Sequence, residues 1–150
     1  MRLALYQTEI AQNMGAMLRL SACFGVDVDV IEPTGFPMDD KRMRRAGMDY
    51  IDLVRMTAHA SFDAFIAARG AQPSGRLILL DVRGRVPYTA VQYAEDDTIM
   101  VGRESDGVPA HVYEACDLQA FIPMRSGARS LNVALSAAIG LSEALRQIHS

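Results

Sequence analysis

The architecture of this chain is organised around one stretch, which reads Ile122-Pro123-Met124-Arg125-Ser126-Gly127-Ala128-Arg129-Ser130-Leu131-Asn132-Val133. An apolar run over residues 118–122 predicts a strand, which Pro123 ends because proline has no N–H for a sheet ladder. The small residues that follow predict a loop, and Ser130 is predicted to cap the next helix. Such a loop leaves backbone N–H and C=O groups free to bind a ligand. An ordinary strand-to-helix connection is the alternative.

The helix after this loop is predicted to run over residues 131–148. Its apolar residues recur at spacings of three and four, which is the period of one helix face. They are Leu131, Leu135, Ala138, Leu141 and Leu145. A strand, a small-residue loop and a helix therefore follow one another at the C-terminal end of the chain.

The rest of the chain repeats this alternation. Strands are predicted at residues 3–6, 26–31, 53–56, 76–82 and 98–102, and helices at 14–24 behind an Asn13 cap, from Asp39 or Asp40 to Gly47, at 61–69 and at 109–115. The apolar run at 76–82 is typical of a strand that is covered on both faces. Strands that alternate with helices predict an α/β fold with a mostly parallel sheet.

Composition bounds the class of protein. A length of 150 residues, half of them hydrophobic and 22% charged, predicts one globular domain with a substantial core. No apolar run approaches the length that spans a bilayer, and the N-terminus is too short for a signal peptide, so a cytoplasmic protein is expected. Cys23 and Cys116 lack the spacing of a zinc site or a disulfide scaffold. The net charge of −3 argues against nucleic-acid binding through overall charge, but not against a local basic patch.

Three predicted loops at strand ends carry polar clusters. They are the segments 13–19, 102–107 and 123–132. In an α/β sheet such loops gather at the carboxyl edge, where ligands bind. Neither a dinucleotide-binding G-x-G-x-x-G nor a complete phosphate loop occurs, and a G-x-S-x-G elbow is also absent from the sequence. His59, His111 and His149 are scattered and are predicted to be surface residues rather than metal ligands.

A cluster of cations lies in the predicted second helix. Four cations occupy five positions there: Lys41, Arg42, Arg44 and Arg45. A solvated helix face is one interpretation. A phosphate contact surface is the other, because Arg and Lys near a backbone supply most nucleic-acid affinity.

Four groups of residues, taken in chain order, resemble one known family. They are Ile10-x-x-Asn13-x-Gly15-x-x-x-Arg19; Ile31-Glu32-Pro33-x-Gly35-Phe36 with Asp39-Asp40-Lys41-Arg42-x-Arg44-Arg45-Ala46-Gly47-x-Asp49-Tyr50; Gly102-x-Glu104-x-x-Gly107-x-Pro109; and Ile122-Pro123-Met124 with Arg129-Ser130-Leu131-Asn132. The chain thereby resembles the SPOUT-class RNA ribose 2′-O-methyltransferases over nearly its whole length. Within the class it is most similar to the TrmL subfamily, which methylates the wobble nucleotide of tRNA.

The resemblance implies a fold, a reaction and partners. The fold is an α/β-knot, with a mostly parallel sheet flanked by helices and a C-terminal trefoil knot, in a single domain over residues 1–150. The reaction transfers a methyl group from S-adenosylmethionine to the ribose 2′-hydroxyl of the wobble cytidine or uridine, with leucine tRNAs as the implied substrates. The implied assembly is a homodimer through the helices after the first and third motifs, with no metal and no membrane.

The resemblance also assigns roles by position. The residues implied to contact the cofactor are Leu80, Gly102, Ile122 and Ser130. The polar residues implied to surround the transferred methyl group are Asn13, Arg19, Glu104, Ser130 and Asn132. The residues implied to bind the anticodon stem-loop are Lys41, Arg42, Arg44 and Arg45. Arg19 is the usual candidate for the base in this class, with Glu104 placed to orient it. A guanidinium stays protonated, however, so stabilisation of an alkoxide or contact with a phosphate remains open for Arg19.

Three other functions compete with this one. The first keeps the chemistry but changes the substrate to another tRNA position or to ribosomal RNA. The second is a non-catalytic knotted dimer that binds RNA. The third is an unrelated α/β enzyme that acts on a small molecule.

Overall fold

The computed structural model describes residues 1–71 and 74–149. Its strands are β1 (Arg2–Tyr6), β2 (Asp27–Ile31), β3 (Met56–His59), β4 (Leu77–Leu80), β5 (Val86–Pro87), β6 (Thr98–Val101) and β7 (Leu118–Phe121). Its helices are α1 (Ala11–Phe24), α2 (Lys41–Gly47), α3 (Phe62–Gly70), α4 (Ala110–Ala115) and α5 (Val133–Ile148), with 3-10 helices at Met48–Leu53 and Tyr88–Ala90.

These strands form one sheet, in the order β3-β2-β1-β6-β4-β7-β5. Each neighbouring pair is parallel. Every residue of β4 and β6 is buried, as their apolar sequences predict for central strands of a parallel sheet. The predicted α/β fold with a parallel sheet is confirmed.

Helices cover both faces of the sheet. Successive strand residues point to opposite faces, so β1 sends Leu3 and Leu5 to one side and Ala4 and Tyr6 to the other. On the first side α1 and α5 pack through Met14, Met17, Leu18 and Leu141. On the second side α3 and α4 pack through Phe62, Phe65 and Val112. Because the helices occupy the faces, the carboxyl edge of the strands stays open for a site.

The close packing of α2 on α1 depends on a glycine. A Cβ added to Gly15 would collide with the carbonyl oxygen of Met43 and would lie 2.9 Å from the backbone nitrogen of Gly47. Asp40 caps α2, since its carboxylate accepts a hydrogen bond from the Arg42 N–H at 2.7 Å. The predicted start of this helix at Asp39 or Asp40 is confirmed, and α2 is held beside the first turns of α1.

Two predicted helix caps are wrong. Helix α1 begins at Ala11 with Ile10 at the N-cap, so Asn13 lies inside the helix, where it is 9% exposed. Helix α5 is capped by Asn132 rather than Ser130, because the Asn132 side chain accepts hydrogen bonds from two backbone N–H groups of the first turn. One asparagine was thus predicted to cap a helix that it does not cap, and the cap of α5 lies two residues after the predicted Ser130.

One predicted strand is displaced and another is missed. Residues 48–53 form a 3-10 helix, and the strand predicted at 53–56 begins only at Met56. Strand β3 lies at the edge of the sheet and its first three residues are exposed, so no apolar run marks it. Strand β5 has two residues, which is too short for an alternating pattern.

His59 corrects the expectation that the histidines lie on the surface. Its side chain is 9% exposed, and its Nε2 lies 2.8 Å from the Asp29 carboxylate. The same carboxylate accepts a hydrogen bond from Arg2 Nε at 2.7 Å. His111 and His149 are exposed, as predicted.

Other expectations concern metals, thiols and membranes. Over residues 1–71 and 74–149, no group of His, Cys, Asp and Glu side chains is arranged to hold a metal ion. Cys23 is exposed and Cys116 is buried, both as free thiols, and burial raises the pKa of Cys116 to about 12. In the same part of the chain, no helix combines the length and apolar character needed to cross a bilayer.

Candidate active site

A cavity of about 670 Å³ opens at the carboxyl edge of the sheet. Its walls come from the loops after β4, β6 and β7 and from the first turns of α1 and α5. The volume lies in the range of about 300–1,000 Å³ that is typical of small-molecule sites. The position is the one at which α/β proteins bind their ligands.

The cavity gathers nearly all of the residues that the resemblance assigns to cofactor and chemistry. Those that line it are Asn13, Leu80, Gly102, Glu104, Ile122, Ser130 and Asn132. Arg19 is not among the lining residues. Three loops that lie far apart in sequence therefore meet around one space, as the sequence predicts.

Glu104 joins the loop after β6 to the start of α1. Its carboxylate accepts hydrogen bonds from the backbone N–H groups of Glu9 at 2.7 Å and Ile10 at 3.2 Å, and from the side-chain amide of Asn13 at 3.1 Å. Helix α1 has no side-chain cap at Ile10. The carboxylate of Glu104 binds the two backbone N–H groups that immediately precede the helix, and a negative charge is favourable at this end of a helix.

A chain of amide groups continues from Glu104 to α5. The Asn132 side-chain N–H donates to the Asn13 side-chain oxygen at 3.0 Å, while its own side-chain oxygen caps α5. Asn13 thus accepts from Asn132 and donates to Glu104, which fixes the orientation of its amide. These hydrogen bonds tie together the first turns of α1 and α5 and the loop after β6.

Sequence reasoning missed a second link between the same segments. The Glu9 carboxylate accepts hydrogen bonds from the Ser105 N–H and from the Ser105 hydroxyl, both at 2.9 Å. Each segment thus contributes a carboxylate that binds a backbone N–H of the other: Glu104 binds the Glu9 N–H, and Glu9 binds the Ser105 N–H. A glutamate one residue before the N-cap was the available sequence signal, since acidic groups concentrate near helix starts.

Two ion pairs line another side of the cavity. Arg83 binds Asp81 with Nη2–Oδ2 at 2.8 Å and also donates to the Val108 carbonyl at 2.9 Å. Burial alone would raise the pKa of Asp81, but hydrogen bonds from the Arg83 guanidinium and N–H outweigh it and hold that pKa below its ordinary value. Arg103 pairs with Asp106 at 2.8 Å. Both carboxylates are therefore engaged by arginines.

Two aliphatic side chains contribute to the cavity lining. Leu80 and Ile122 lie on its lining, and α5 approaches so closely at Gly140 that an added Cβ would collide with the Leu80 side chain. Gly102 packs against Gly107, and an added Cβ at Gly102 would lie 2.6 Å from the Gly107 backbone. The glycines allow the loop after β6 to close on itself, with the backbone groups of Arg103 and Gly107 hydrogen-bonded to each other at 2.9 and 3.1 Å.

Arg19 lies on an exposed part of α1, away from the cavity lining. Its guanidinium lies over the Tyr50 ring, 5.1 Å from the ring centroid, and Nη1 is 3.2 Å from the Met48 sulfur. Among the described residues of one chain, Arg19 forms no hydrogen bond or ion pair with Glu104. The expectation that Glu104 orients Arg19 is therefore not met within a single chain.

The four cations of α2 are all exposed. Arg42 is paired with Asp40 at 2.8 Å, and its guanidinium lowers the pKa of Asp40 to about 2. For Lys41, Arg44 and Arg45, no carboxylate partner occurs within the described part of the chain. The buried residues of this helix, Met43 and Gly47, face α1, so the cations point to solvent.

Comparisons with known proteins agree with this geometry. A sequence model described as the SpoU rRNA methylase family matches residues 1–142. The tRNA (cytidine(34)-2′-O)-methyltransferase of Beijerinckia indica subsp. indica is 51% identical over 146 residues, which cover 97% of this chain and 91% of that protein.

Solved structures agree as well. One described as giving structural insights into the 2-OH methylation of C/U34 on tRNA superposes with a TM-score of 0.91 at 35% identity, covering 99% of this chain and 91% of that one. The AdoMet-bound rRNA methyltransferase of Sinorhizobium meliloti has the same fold, with a TM-score of 0.90 at 24% identity over 99% of this chain and 57% of its own. The chain belongs to the SpoU rRNA methylase family.

Proposed function

We propose that this chain transfers a methyl group from S-adenosylmethionine to the ribose 2′-hydroxyl of nucleotide 34, cytidine or uridine, in tRNA. The observation that carries the proposal is the hydrogen-bonded chain Glu104–Asn13–Asn132, which joins three loops around one cavity. This chain, in which the hydrogen bonds are found, is 51% identical to a tRNA (cytidine(34)-2′-O)-methyltransferase. Leucine tRNAs are the substrates that the sequence resemblance implies.

The cavity residues fit S-adenosylmethionine. Leu80 and Ile122 offer apolar walls to its adenine, and Gly102 on the same lining has no side chain that would occupy the space. Ser130 is exposed at the same cavity and offers a hydroxyl. When bound, the cofactor supplies a methyl group on a sulfonium, which is a good electrophile.

The residues of this chain act on the ribose hydroxyl. A hydroxyl is a poor nucleophile until its proton is drawn away, and the reacting atoms must be aligned. Asp81 and Asp106 are held by arginines, and Glu104 accepts three hydrogen bonds. We therefore assign to Glu104 and Asn13 the positioning of the loops rather than proton transfer. Asn132 shares that role, while Ser130 faces the substrate.

Arg19 is assigned to the alkoxide. Its guanidinium stays protonated, so Arg19 does not take the hydroxyl proton; that proton passes to water, and the guanidinium stabilises the negative charge that develops on the ribose oxygen. Because Arg19 lies outside the cavity of its own chain, the proposal includes a homodimer in which Arg19 of a second copy faces the cavity. Exposed apolar residues support an interface through the starts of α1 and α5: Ile10 is 44% exposed, Leu131 38% and Leu135 58%.

The remaining proposals concern architecture and place. We propose a C-terminal trefoil knot, supported by the meeting of the segments after β4, β6 and β7 at one cavity while β4 lies between β6 and β7. We further propose that residues 1–150 form a single methyltransferase domain, supported by their one continuous sheet. A tRNA substrate supports the proposed cytoplasmic location.

The reaction has a direct test. The chain is expected to transfer label from S-adenosylmethionine to unmodified tRNA, and digestion of the product is expected to place the label on the ribose of nucleotide 34. Label on ribosomal RNA or at another tRNA position would show that the substrate differs from the proposed one while the reaction is the same. Uptake of cofactor without any transfer, with tRNA still bound, would favour the RNA-binding dimer instead.

The role of α2 is tested by charge reversal. Arg44→Glu is expected to weaken tRNA binding at low salt by about tenfold, because an open cation near a phosphate becomes an anion. Arg55→Glu is the matched control, since Arg55 is exposed, pairs with Asp27 at 3.6 Å and precedes β3 at the opposite edge of the sheet. Fluorescence anisotropy with labelled tRNA measures both. Equal affinities after reversal of Lys41, Arg42, Arg44 and Arg45 would remove α2 from the RNA interface.

A further inference from the structure

Several cations within the described residues have no carboxylate partner. Most arginines are in ion pairs, as Arg2 is with Asp29 and Arg76 with Asp97. Arg125 has no such partner among residues 1–71 and 74–149, nor does Arg129. Both are exposed, and the loop between β7 and α5 that contains them has no acidic residue.

The two arginines flank a β-turn. The Ala128 N–H donates to the Arg125 carbonyl at 3.2 Å, and Gly127 has a φ of +90°. A positive φ at the third position is typical of a type II turn, whose first and last Cα atoms lie within about 7 Å. Arg129 follows the turn directly, so both arginines belong to one short exposed loop. The loop carries two positive charges and no negative one, which favours the binding of an anion.

The turn adjoins the cavity. Arg129 is on the cavity lining, together with Arg83 and Arg103. Arg83 and Arg103 are neutralised by Asp81 and Asp106, each pair at 2.8 Å. Of these three lining arginines, Arg129 alone has no carboxylate partner within the described residues. Its guanidinium therefore remains available to a ligand at the place where the methyl group is transferred.

We propose that the turn from Arg125 to Arg129 is a phosphate clamp, in which both arginines bind backbone phosphates of the RNA beside the nucleotide whose ribose enters the cavity. The inference rests on the proposed function and adds a second contact to that of α2. A guanidinium presents paired N–H donors that match phosphate oxygens, and it keeps its charge at every relevant pH. The clamp binds phosphates irrespective of base, so it sets the position of the strand and not its sequence.

The carboxylate of S-adenosylmethionine is the other anion that belongs at this cavity, and the experiment separates the two. The affinity of full-length tRNA is measured against salt concentration for Arg125→Gln, Arg129→Gln and the double variant. Each substitution is expected to reduce the slope of log Kd against log salt by about 0.7 to 0.9, which is the value of one phosphate contact. Arg55→Gln, an exposed arginine at the amino edge of the sheet, is expected to leave the slope unchanged. Calorimetric titration with S-adenosylmethionine is run on the same proteins.

Reduced slopes with cofactor affinity retained in Arg125→Gln support the clamp. A wild-type slope in the double variant overturns it, and so does a loss confined to cofactor affinity in Arg129→Gln. If the double variant loses both ligands through misfolding, which thermal denaturation reports, the single variant Arg125→Gln decides, because Arg125 is exposed and lies outside the cavity lining: a reduced slope supports the clamp and a wild-type slope overturns it. Failure of the proposed function is distinguishable, since it appears as absence of methyl transfer by the unaltered chain.

Discussion

Replacement of Glu104 by Gln is expected to reduce methyl transfer by about 100-fold and to lower the free energy of unfolding by about 1–3 kcal/mol. The carboxylate accepts hydrogen bonds from the Glu9 and Ile10 N–H groups and from the Asn13 amide. A glutamine has one oxygen, and its NH2 group would face at least one of these donors, which would then lose its partner. A displacement of about 1 Å in the loops is enough for a loss of this size in rate.

The control for this variant is Asp106→Asn. It removes a carboxylate from the same loop and the same cavity lining, but Asp106 is 62% exposed in its side chain and bonds no N–H of α1. Its effect on rate is expected to stay below about tenfold, as for an exposed ion pair. Initial rates with labelled cofactor and thermal denaturation measure both variants. A near-normal rate in Glu104→Gln would show that the contact of Glu104 with the start of α1 does not position the site.

The sequence was sufficient for the sheet and for the position of the cavity. The apolar runs of β4 and β6 carry the signal of buried parallel strands, and small or polar residues directly after a strand mark the loops at its carboxyl edge. Motif residues such as Asn13 and Ser130 could therefore be assigned to one site without knowledge of the strand order.

The partners of these residues could not be read from local patterns. Asparagine is a common helix cap, yet Asn13 lies inside α1 and its side chain binds the carboxylate of Glu104, 91 positions further along the chain. Propensity describes a residue and its neighbours, whereas this contact exists only because β6 pairs with β1. The link between Glu9 and Ser105 was missed for the same reason. The predicted position of β3 was wrong because this edge strand is exposed and therefore has no apolar pattern.

Arg19 poses a different difficulty, because it lies outside the cavity of its own chain and its proposed role requires a second chain. Arg19→Ala is expected to reduce methyl transfer by about 100- to 10,000-fold while S-adenosylmethionine still binds, since loss of a group that stabilises developing charge affects the transition state. Within one chain its guanidinium contacts Tyr50 and Met48 on the surface. Rates and calorimetric cofactor affinity measure the two effects, and a near-full rate would remove Arg19 from the mechanism.

Mixing of two inactive variants tests whether the site is shared. If Arg19 of one copy completes the cavity of another, a mixed dimer of Arg19→Ala and Glu104→Gln contains one site with both defects and one site with neither. Random exchange of subunits makes half of the dimers mixed, so about a quarter of the wild-type rate is expected to return. If Arg19 served the cavity of its own chain, every site in the mixture would carry one defect and no activity would return. The measured recovery therefore reports directly on which chain supplies the guanidinium, independently of how large either single loss is.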